Sequence, residues 1–521
     1  MIMKQMKADV TVIGAGATGC GVARDLALRG LSVLLVERGD INSGASGGNH
    51  GLLHSGARYV FSDKESAEEC RDENALLREM SPQCIEATGG LFVGVEGDDE
   101  NDMADFKGHL SQCGIPHRQM DVEEARALEP SLSDRLVTAY EVNDAAVDPF
   151  RLSLDNVADA LSHGAELLCG TALTGVKRQG ARITHALLTR RVTGEALEVE
   201  TSCVVNAAGA WAGKVASIAG AHTEVRCSKG SLVVTDHRIA SRVVNRLRRP
   251  SDADIIVPGG TVSIVGTTSS TVDDPDAAWP TPAEVDRIVE ESSLMIPALA
   301  KTRMIRAYSG VRPLFGSSSG ADDRSVSRGF KLIDHGEEGV ENLFTITGGK
   351  LTTYRLMAEK AADAVCGYLA AGGPCLTRIR PLPASGDAMW TEPGAAPKRW
   401  MAGHQAEDGM ICECEMVSES VVTSLVTSLR SQGLANGLVE VGLRSRVGKG
   451  PCQGSFCGLR LAAWMYGEGH LTGDAGISGL ERFYKERWKG MRPVSWGENL
   501  ARAELHEALQ CGLFGMEVDH E

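Results

Sequence analysis

Two groups of residues in this chain of 521 amino acids have the types and spacing to do chemistry. Near the N-terminus, Gly14, Gly16 and Gly19 form a Gly-x-Gly-x-x-Gly run, and an acid, Glu37, stands about twenty residues further on, as a dinucleotide site requires. The first glycine permits a tight turn, the second lets backbone approach a pyrophosphate, and the third allows a helix to pack closely on a strand. A carboxylate at Glu37 accepts hydrogen bonds from a ribose hydroxyl and disfavours a 2′-phosphate. Towards the C-terminus, Cys412-Glu-Cys414 and Cys452-Gln-Gly-Ser-Phe-Cys457 supply four thiols in two pairs. Four thiolates suit an iron–sulfur cluster or a zinc ion, and softness and geometry decide between them, not spacing. Gly448, Gly450, Gly454 and Gly458 leave the backbone free to curl its N–H groups around the sulfurs.

These residues need elements to hold them. The β-branched run Ala8 to Ile13, the glycine turn, a helical stretch to Arg29, a stop at Gly30 and the apolar run Val33 to Val36 read as a βαβ unit ending at Glu37. Val204-Val205 runs into Asn206-Ala-Ala-Gly-Ala-Trp211, and Leu343 to Thr347 runs into Gly348-Gly349-Lys350 before a helix around Tyr354 to Leu369. Strand, glycine turn and helix thus recur three times. The expectation is an α/β fold, a Rossmann-like dinucleotide domain assembled from discontinuous segments over residues 1–380. Lys229-Gly-Ser-Leu-Val-Val234 and Ser263-Ile-Val-Gly-Thr267 read as strands of an inserted α+β substrate-covering layer. Residues 381–409, rich in Pro, Gly, Ala and Ser, read as a linker. A small cysteine domain over 410–470 follows, then a tail over 471–521 whose helical spacing suits packing more than docking.

Bulk properties narrow the function. With 43% hydrophobic residues the chain can bury more than one core. A formal net charge of −16 argues against coating nucleic acid or an anionic membrane, so an anionic substrate must meet a local cluster of Arg and Lys. The short run from Met1 to Lys7 leaves no room for a signal peptide, and no window approaches the roughly 18 to 20 apolar residues a spanning helix requires. A cytoplasmic protein is expected, with any membrane association through a partner. Fourteen cysteines in such a chain are expected to be reduced, and Cys20, beside the glycine turn, reads as packing.

The glycine fingerprint alone does not separate FAD from NAD. Asn206-Ala-Ala-Gly-Ala-Trp-Ala212 is typical of FAD-dependent oxidoreductases. Arg38-Gly-Asp-Ile-Asn-Ser-Gly-Ala-Ser46, His54-Ser-Gly-Ala-Arg-Tyr59, Tyr308-Ser-Gly-Val-Arg-Pro-Leu314 and Gly348-Gly-Lys-Leu-Thr-Thr-Tyr-Arg355 together resemble the FAD-dependent glycerol-3-phosphate dehydrogenases over roughly residues 8–370. Asn49-His-Gly-Leu-Leu-His54, Pro250-Ser-Asp-Ala-Asp254 and the cysteine-bearing extension resemble the anaerobic branch of that family, in its A-type subunits. The cysteine pattern itself resembles the bacterioferritin-associated-ferredoxin-like [2Fe-2S] domain.

The resemblance implies oxidation of sn-glycerol 3-phosphate to dihydroxyacetone phosphate by hydride transfer to FAD. It further implies electrons leaving through iron–sulfur centres to a quinone, partner subunits that include a membrane-anchoring iron–sulfur subunit, and a peripheral position on the inner face of the cell membrane. The implied cofactor contacts are Ile13, Gly14, Gly16, Ala17, Thr18 and Gly19; Glu37, Arg38, Ser43 and Ser46; Ala208 and Gly209; Gly348, Gly349, Leu351 and Thr352. Arg58, Tyr59, Arg312, Arg328 and Lys350 are the implied substrate contacts, because planar guanidinium forks match phosphate oxygens. Arg312, Lys350 and His54 form the implied catalytic set, and Cys412, Cys414, Cys452 and Cys457 the metal ligands. His54 is the candidate base for the hydroxyl proton; aerobic members carry a His after Lys-Gly-Ser where this chain has Leu232, a departure that leaves the base unassigned. Two other readings fit parts of the pattern: a heteromeric dehydrogenase of an opine-like amine or hydroxy acid, and a non-catalytic electron carrier with a vestigial flavin fold.

Overall fold

This computed structural model describes residues 4–315 and 329–516. The strand Lys4–Ile13 lies at the centre of an eight-stranded sheet, parallel to Val33–Val36 on one side and to Ala196–Asn206 on the other. Val33–Val36 is buried along its whole length, as a strand covered on both faces must be. Ala196–Asn206 pairs with Arg182–Arg190 through its first half, and through its last three residues with Leu343–Gly348. Ile13 is therefore level with Asn206, and Asn206 with Thr345. All three glycine turns emerge at the carboxyl ends of parallel strands in one mixed sheet, the place where open α/β sheets bind ligands.

Helices seal one face of this sheet. Ala17–Leu28 packs between Pro149–Ser162 and Tyr354–Leu369, and its Val22, Ala23 and Leu26 are fully buried with Val157, Ala361 and Val365. Gly21 makes that approach possible, because a Cβ there would lie 3.1 Å from Ala358 and from the Tyr354 ring. Asp148 caps Pro149–Ser162 by accepting from the N–H groups of Phe150 and Arg151. Gly30, at φ +88°, lets the chain leave Ala17–Leu28 and return as the next strand.

A second, nine-stranded sheet covers the carboxyl edge. The Lys229–Val234 run lies inside the strand Arg226–Thr235, and Ser263–Gly266 inside Val262–Gly266, so both stretches are strands of one layer. Arg226–Thr235 also pairs along its whole length with Met304–Leu314, the strand that carries Arg312.

The C-terminal residues gather around a core of their own that contains Val421, Leu425, Leu461, Phe483, Tyr484 and Trp488. The 381–409 stretch is not featureless: it contains a 3-10 turn, Ala388–Thr391, and a helix, Ala395–Gly403, and it sends Trp390 and Ala396 into this core. Ala475–Trp488 supplies the Phe483, Tyr484 and Trp488 side chains, and the last two stack with ring centroids 4.7 Å apart. The tail also touches the covering sheet, where the Ala307 N–H donates to the Gly490 carbonyl and the Asn499 side chain donates to the Met304 carbonyl.

Candidate active site

A cavity of about 500 Å³ runs from the first glycine turn to the covering sheet. Ile13, Gly14, Gly16, Ala17, Thr18, Glu37, Arg38, Ser43, Ser46, Ala208, Gly209, Gly348, Gly349 and Leu351 all line it. So do His54, Arg58, Tyr59, Arg312 and Lys350. Gly19 and Thr352 stand behind its wall, and Arg328 lies outside the described residues.

The nucleotide end is a cradle that side chains would fill. Gly14 has φ +106°, and a Cβ there would come within 2.7 Å of the Ala207 carbonyl oxygen. One on Gly19 would fall onto the carbonyl oxygen of Gly14, so the third glycine makes room for the turn itself. The helix Ala17–Leu28 begins with no side-chain cap at Gly16, although Ser46 accepts from the Ala17 N–H at 2.9 Å. Its remaining first-turn N–H groups and dipole favour an anion. The Glu37 carboxylate accepts from the N–H groups of Ala15 at 2.9 Å and Gly39 at 2.7 Å. Arg38 lies over the Trp211 ring, 4.1 Å from its centroid, and pairs with Asp276, closing the flank.

The far end is cationic. Arg312 donates to the Thr267 hydroxyl and to the Thr268 carbonyl, in space left by Gly230, where any Cβ would collide with the guanidinium. Lys350 donates to Ser66 at 3.0 Å, and its ammonium stands 4.9 Å from the centre of the Tyr59 ring. Arg58 is buried and donates through Nη2 to Asp254 at 2.6 Å, while its Nη1 is buried without a hydrogen-bond partner. Burial opposes ionisation of Asp254, yet Arg58 and Arg248 outweigh it and hold the carboxyl below its usual range.

Two histidines complete this end. Burial, then the charges of His50, Lys350 and Arg58, push His54 well below the ordinary histidine value. Its backbone N–H donates to Thr352 at 3.0 Å, and its Nε2 lies 3.4 Å from the Tyr59 hydroxyl. Its neighbour His50, 5.8 Å away between ring centroids, is given no role by the sequence, although it sits inside the Asn49–His54 motif. Burial, then Arg312 and Arg58, push it down to about 3. Trp211 and Thr267 are further wall residues that no spacing rule singles out.

The four C-terminal cysteines meet in two pairs. Cys414 donates to the Cys452 sulfur at 3.5 Å, and Cys457 is the neighbour that most lowers the Cys412 thiol. The Cys414 thiol, then the N–H groups of Gly454, Phe456 and Ser455, hold Cys452 down at about 6 against burial. The Gly448 N–H is directed at both Cys412 and Cys457. Backbone N–H groups aimed at paired sulfurs are the donor set that thiolates ligating metal require. Among the described residues, however, no three His, Cys, Asp or Glu side chains converge on one point as a single metal ion would need.

A family model described as FAD dependent oxidoreductase matches residues 9–364, and the chain belongs to that family. The A-type subunit of the anaerobic glycerol-3-phosphate dehydrogenase of Escherichia coli (strain K12) is 42% identical over 535 aligned residues, covering 98% of each chain. The A1-type subunit of the Haloferax volcanii enzyme is 38% identical and covers 98% of this chain and 91% of its own. Within the family the chain groups with these A-type subunits. The fold also matches the glycerol-3-phosphate dehydrogenase from Bacillus halodurans complexed with FAD, at TM-score 0.64 and 21% identity, over 93% of this chain and 95% of that one. The glycine cradle, the uncapped helix start and the long cavity fit FAD.

Proposed function

We propose that this chain oxidises sn-glycerol 3-phosphate to dihydroxyacetone phosphate. The observation that carries the reading is the meeting of Arg58, Arg312 and Lys350 at one end of the cavity whose other end is the glycine cradle. In a chain of net charge −16, three cations focused on one pocket are a site for a dianion. The unpartnered Nη1 of buried Arg58 supports it further, since a buried charged donor without a partner is costly unless a ligand supplies one. FAD, when bound, supplies the acceptor for the hydride from C2. The chain's residues bind the phosphate, orient C2 and exclude water.

Cys412, Cys414, Cys452 and Cys457 are proposed to hold a [2Fe-2S] cluster, each iron taking one pair. The pairing of the sulfurs supports this over a zinc ion, which needs all four around one centre. Such a cluster supplies one-electron transfer, and the reading extends to partner subunits at the membrane and a quinone as final acceptor. The unit 410–470, with the described part of the tail, 471–516, packed on it and 381–409 leading into it, is proposed as the electron exit from the oxidoreductase unit, residues 1–380. Among the described residues no helix is long and apolar enough to cross a membrane, so attachment falls to the partners.

A substrate panel tests the central reading. Arg312→Ala and Lys350→Ala are expected to lose turnover of glycerol 3-phosphate by about 10- to 100-fold, the range of a lost charge-assisted contact. An opine or hydroxy acid turned over better than glycerol 3-phosphate by the parent protein would overturn it.

A further inference from the structure

Of the two histidines in the cavity, His54 is the residue the sequence points to, but its Nε2 is engaged. Its Nε2 faces the Tyr59 hydroxyl, and its ring packs edge-on to Tyr59 at 5.2 Å. His50 differs. Its Nδ1 is buried and has no hydrogen-bond partner. Arg58, which lines the same end of the cavity, has its Nη1 in the same condition. A ring nitrogen able to accept and a guanidinium able only to donate, both left without partners, are complementary to a hydroxyl that gives up its proton and becomes an oxyanion.

Resting on the function proposed above, we propose that His50 is the catalytic residue that accepts the proton of the substrate hydroxyl, with His54 as a positioning residue beside Tyr59. The substrate O–H bond breaks and its proton passes to the imidazole nitrogen. The C2–H bond breaks with its electron pair leaving as the hydride the flavin accepts, and the carbon–oxygen double bond forms. Charges balance across the step.

The surroundings of His50 make this base conditional. Besides burial, the groups that oppose its protonation are Arg312 and Arg58, two of the proposed phosphate contacts. A phosphate dianion seated on those guanidiniums cancels their repulsion and raises the proton affinity of the imidazole. Proton acceptance is thereby tied to phosphorylated substrate.

The test uses the FAD-loaded protein and its His50→Asn, His50→Gln and His54→Asn variants. Flavin content and the affinity for dihydroxyacetone phosphate, followed by flavin absorbance, are read alongside kcat. Turnover of glycerol 3-phosphate by the parent tests the functional reading separately from the proposal. The expected result is flavin content and product affinity within about threefold of the parent, with kcat for both His50 variants lower by about 100-fold or more, the size of a general-base contribution. His54→Asn should lose less kcat than either. Either His50 variant retaining kcat within about fivefold would overturn the proposal, as would a defect confined to product affinity or a larger kcat loss in His54→Asn.

Discussion

Arg444 donates both terminal nitrogens of its guanidinium to the two carboxylate oxygens of Asp40, each at 2.9 Å. Asp40 lies three residues past Glu37 on the loop that lines the nucleotide end of the cavity, and Arg444 ends the helix Leu438–Arg444, ahead of the second cysteine pair. Fork-to-fork pairing fixes orientation as well as distance, so this contact registers the cysteine-bearing unit against the loop that lines the cavity beside Glu37. Arg444 is 3% exposed, and Asp40 has no second Arg or Lys within ion-pair distance among the described residues.

Arg444→Ala should therefore destabilise the junction by about 2–3 kcal/mol, the contribution of hydrogen bonds to a charged group. Urea unfolding should show the lower midpoint, and limited proteolysis should cut faster between residues 381 and 409. An unchanged midpoint with unchanged cutting would mean that other contacts, such as Ala307 with Gly490, hold the units together without it.

Gly19→Ala should abolish flavin retention, because its methyl group would fall on the Gly14 carbonyl and displace the turn. Glu37→Gln keeps the shape but loses the charge on an acceptor that holds the N–H groups of Ala15 and Gly39. It should weaken FAD binding by about tenfold, the effect of a lost charge-assisted hydrogen bond. Flavin-to-protein ratios after gel filtration check both. Gly19→Ala protein with full flavin content would contradict the packing argument.

Much of this fold is legible from the residues alone. The three strand-turn-helix repeats mark parallel strands gathered from distant segments, because Gly14, Gly209 and Gly348 each come shortly after an apolar, β-branched run, and all three stand at positive φ in the fold. The covering layer is legible only as strands, since its pairing of Arg226–Thr235 with Met304–Leu314 joins residues far apart in sequence and leaves no local pattern. Nothing in the sequence singles out His50, because its meaning depends on Arg58 and Arg312 arriving from other elements. The 381–409 stretch reads as linker from its Pro and Gly content, yet Trp390 anchors it in the C-terminal core, a tertiary contact that composition does not encode.

Stability should fall on acidification. The unfolded chain takes up a proton at His50 near the ordinary value of 6.5, whereas the folded chain resists until about 3. The contribution is complete above 6.5 and is lost progressively as pH falls towards 3, by about 1.4 kcal/mol per pH unit. His54, faced by Lys350, Arg58 and His50 and also lowered, acts in the same direction. Between about pH 7 and pH 5 the parent should lose about 2 kcal/mol more than His50→Asn in urea unfolding. Equal losses would show that His50 titrates normally in the folded protein.

Iron and acid-labile sulfide analysis addresses the cysteine pairs. Protein purified without oxygen should carry about two irons and two sulfides per chain. Cys412→Ser and Cys452→Ser should each lose both, since each removes one ligand from a different iron. A single zinc per chain with no sulfide would contradict the paired assignment.

The most direct measurement is the visible spectrum of protein purified without oxygen, before and after addition of glycerol 3-phosphate. The flavin band is expected to bleach on mixing with this substrate and not with glycerol alone, because the cations of the cavity select the phosphate. Bound flavin that stays oxidised with glycerol 3-phosphate would contradict it.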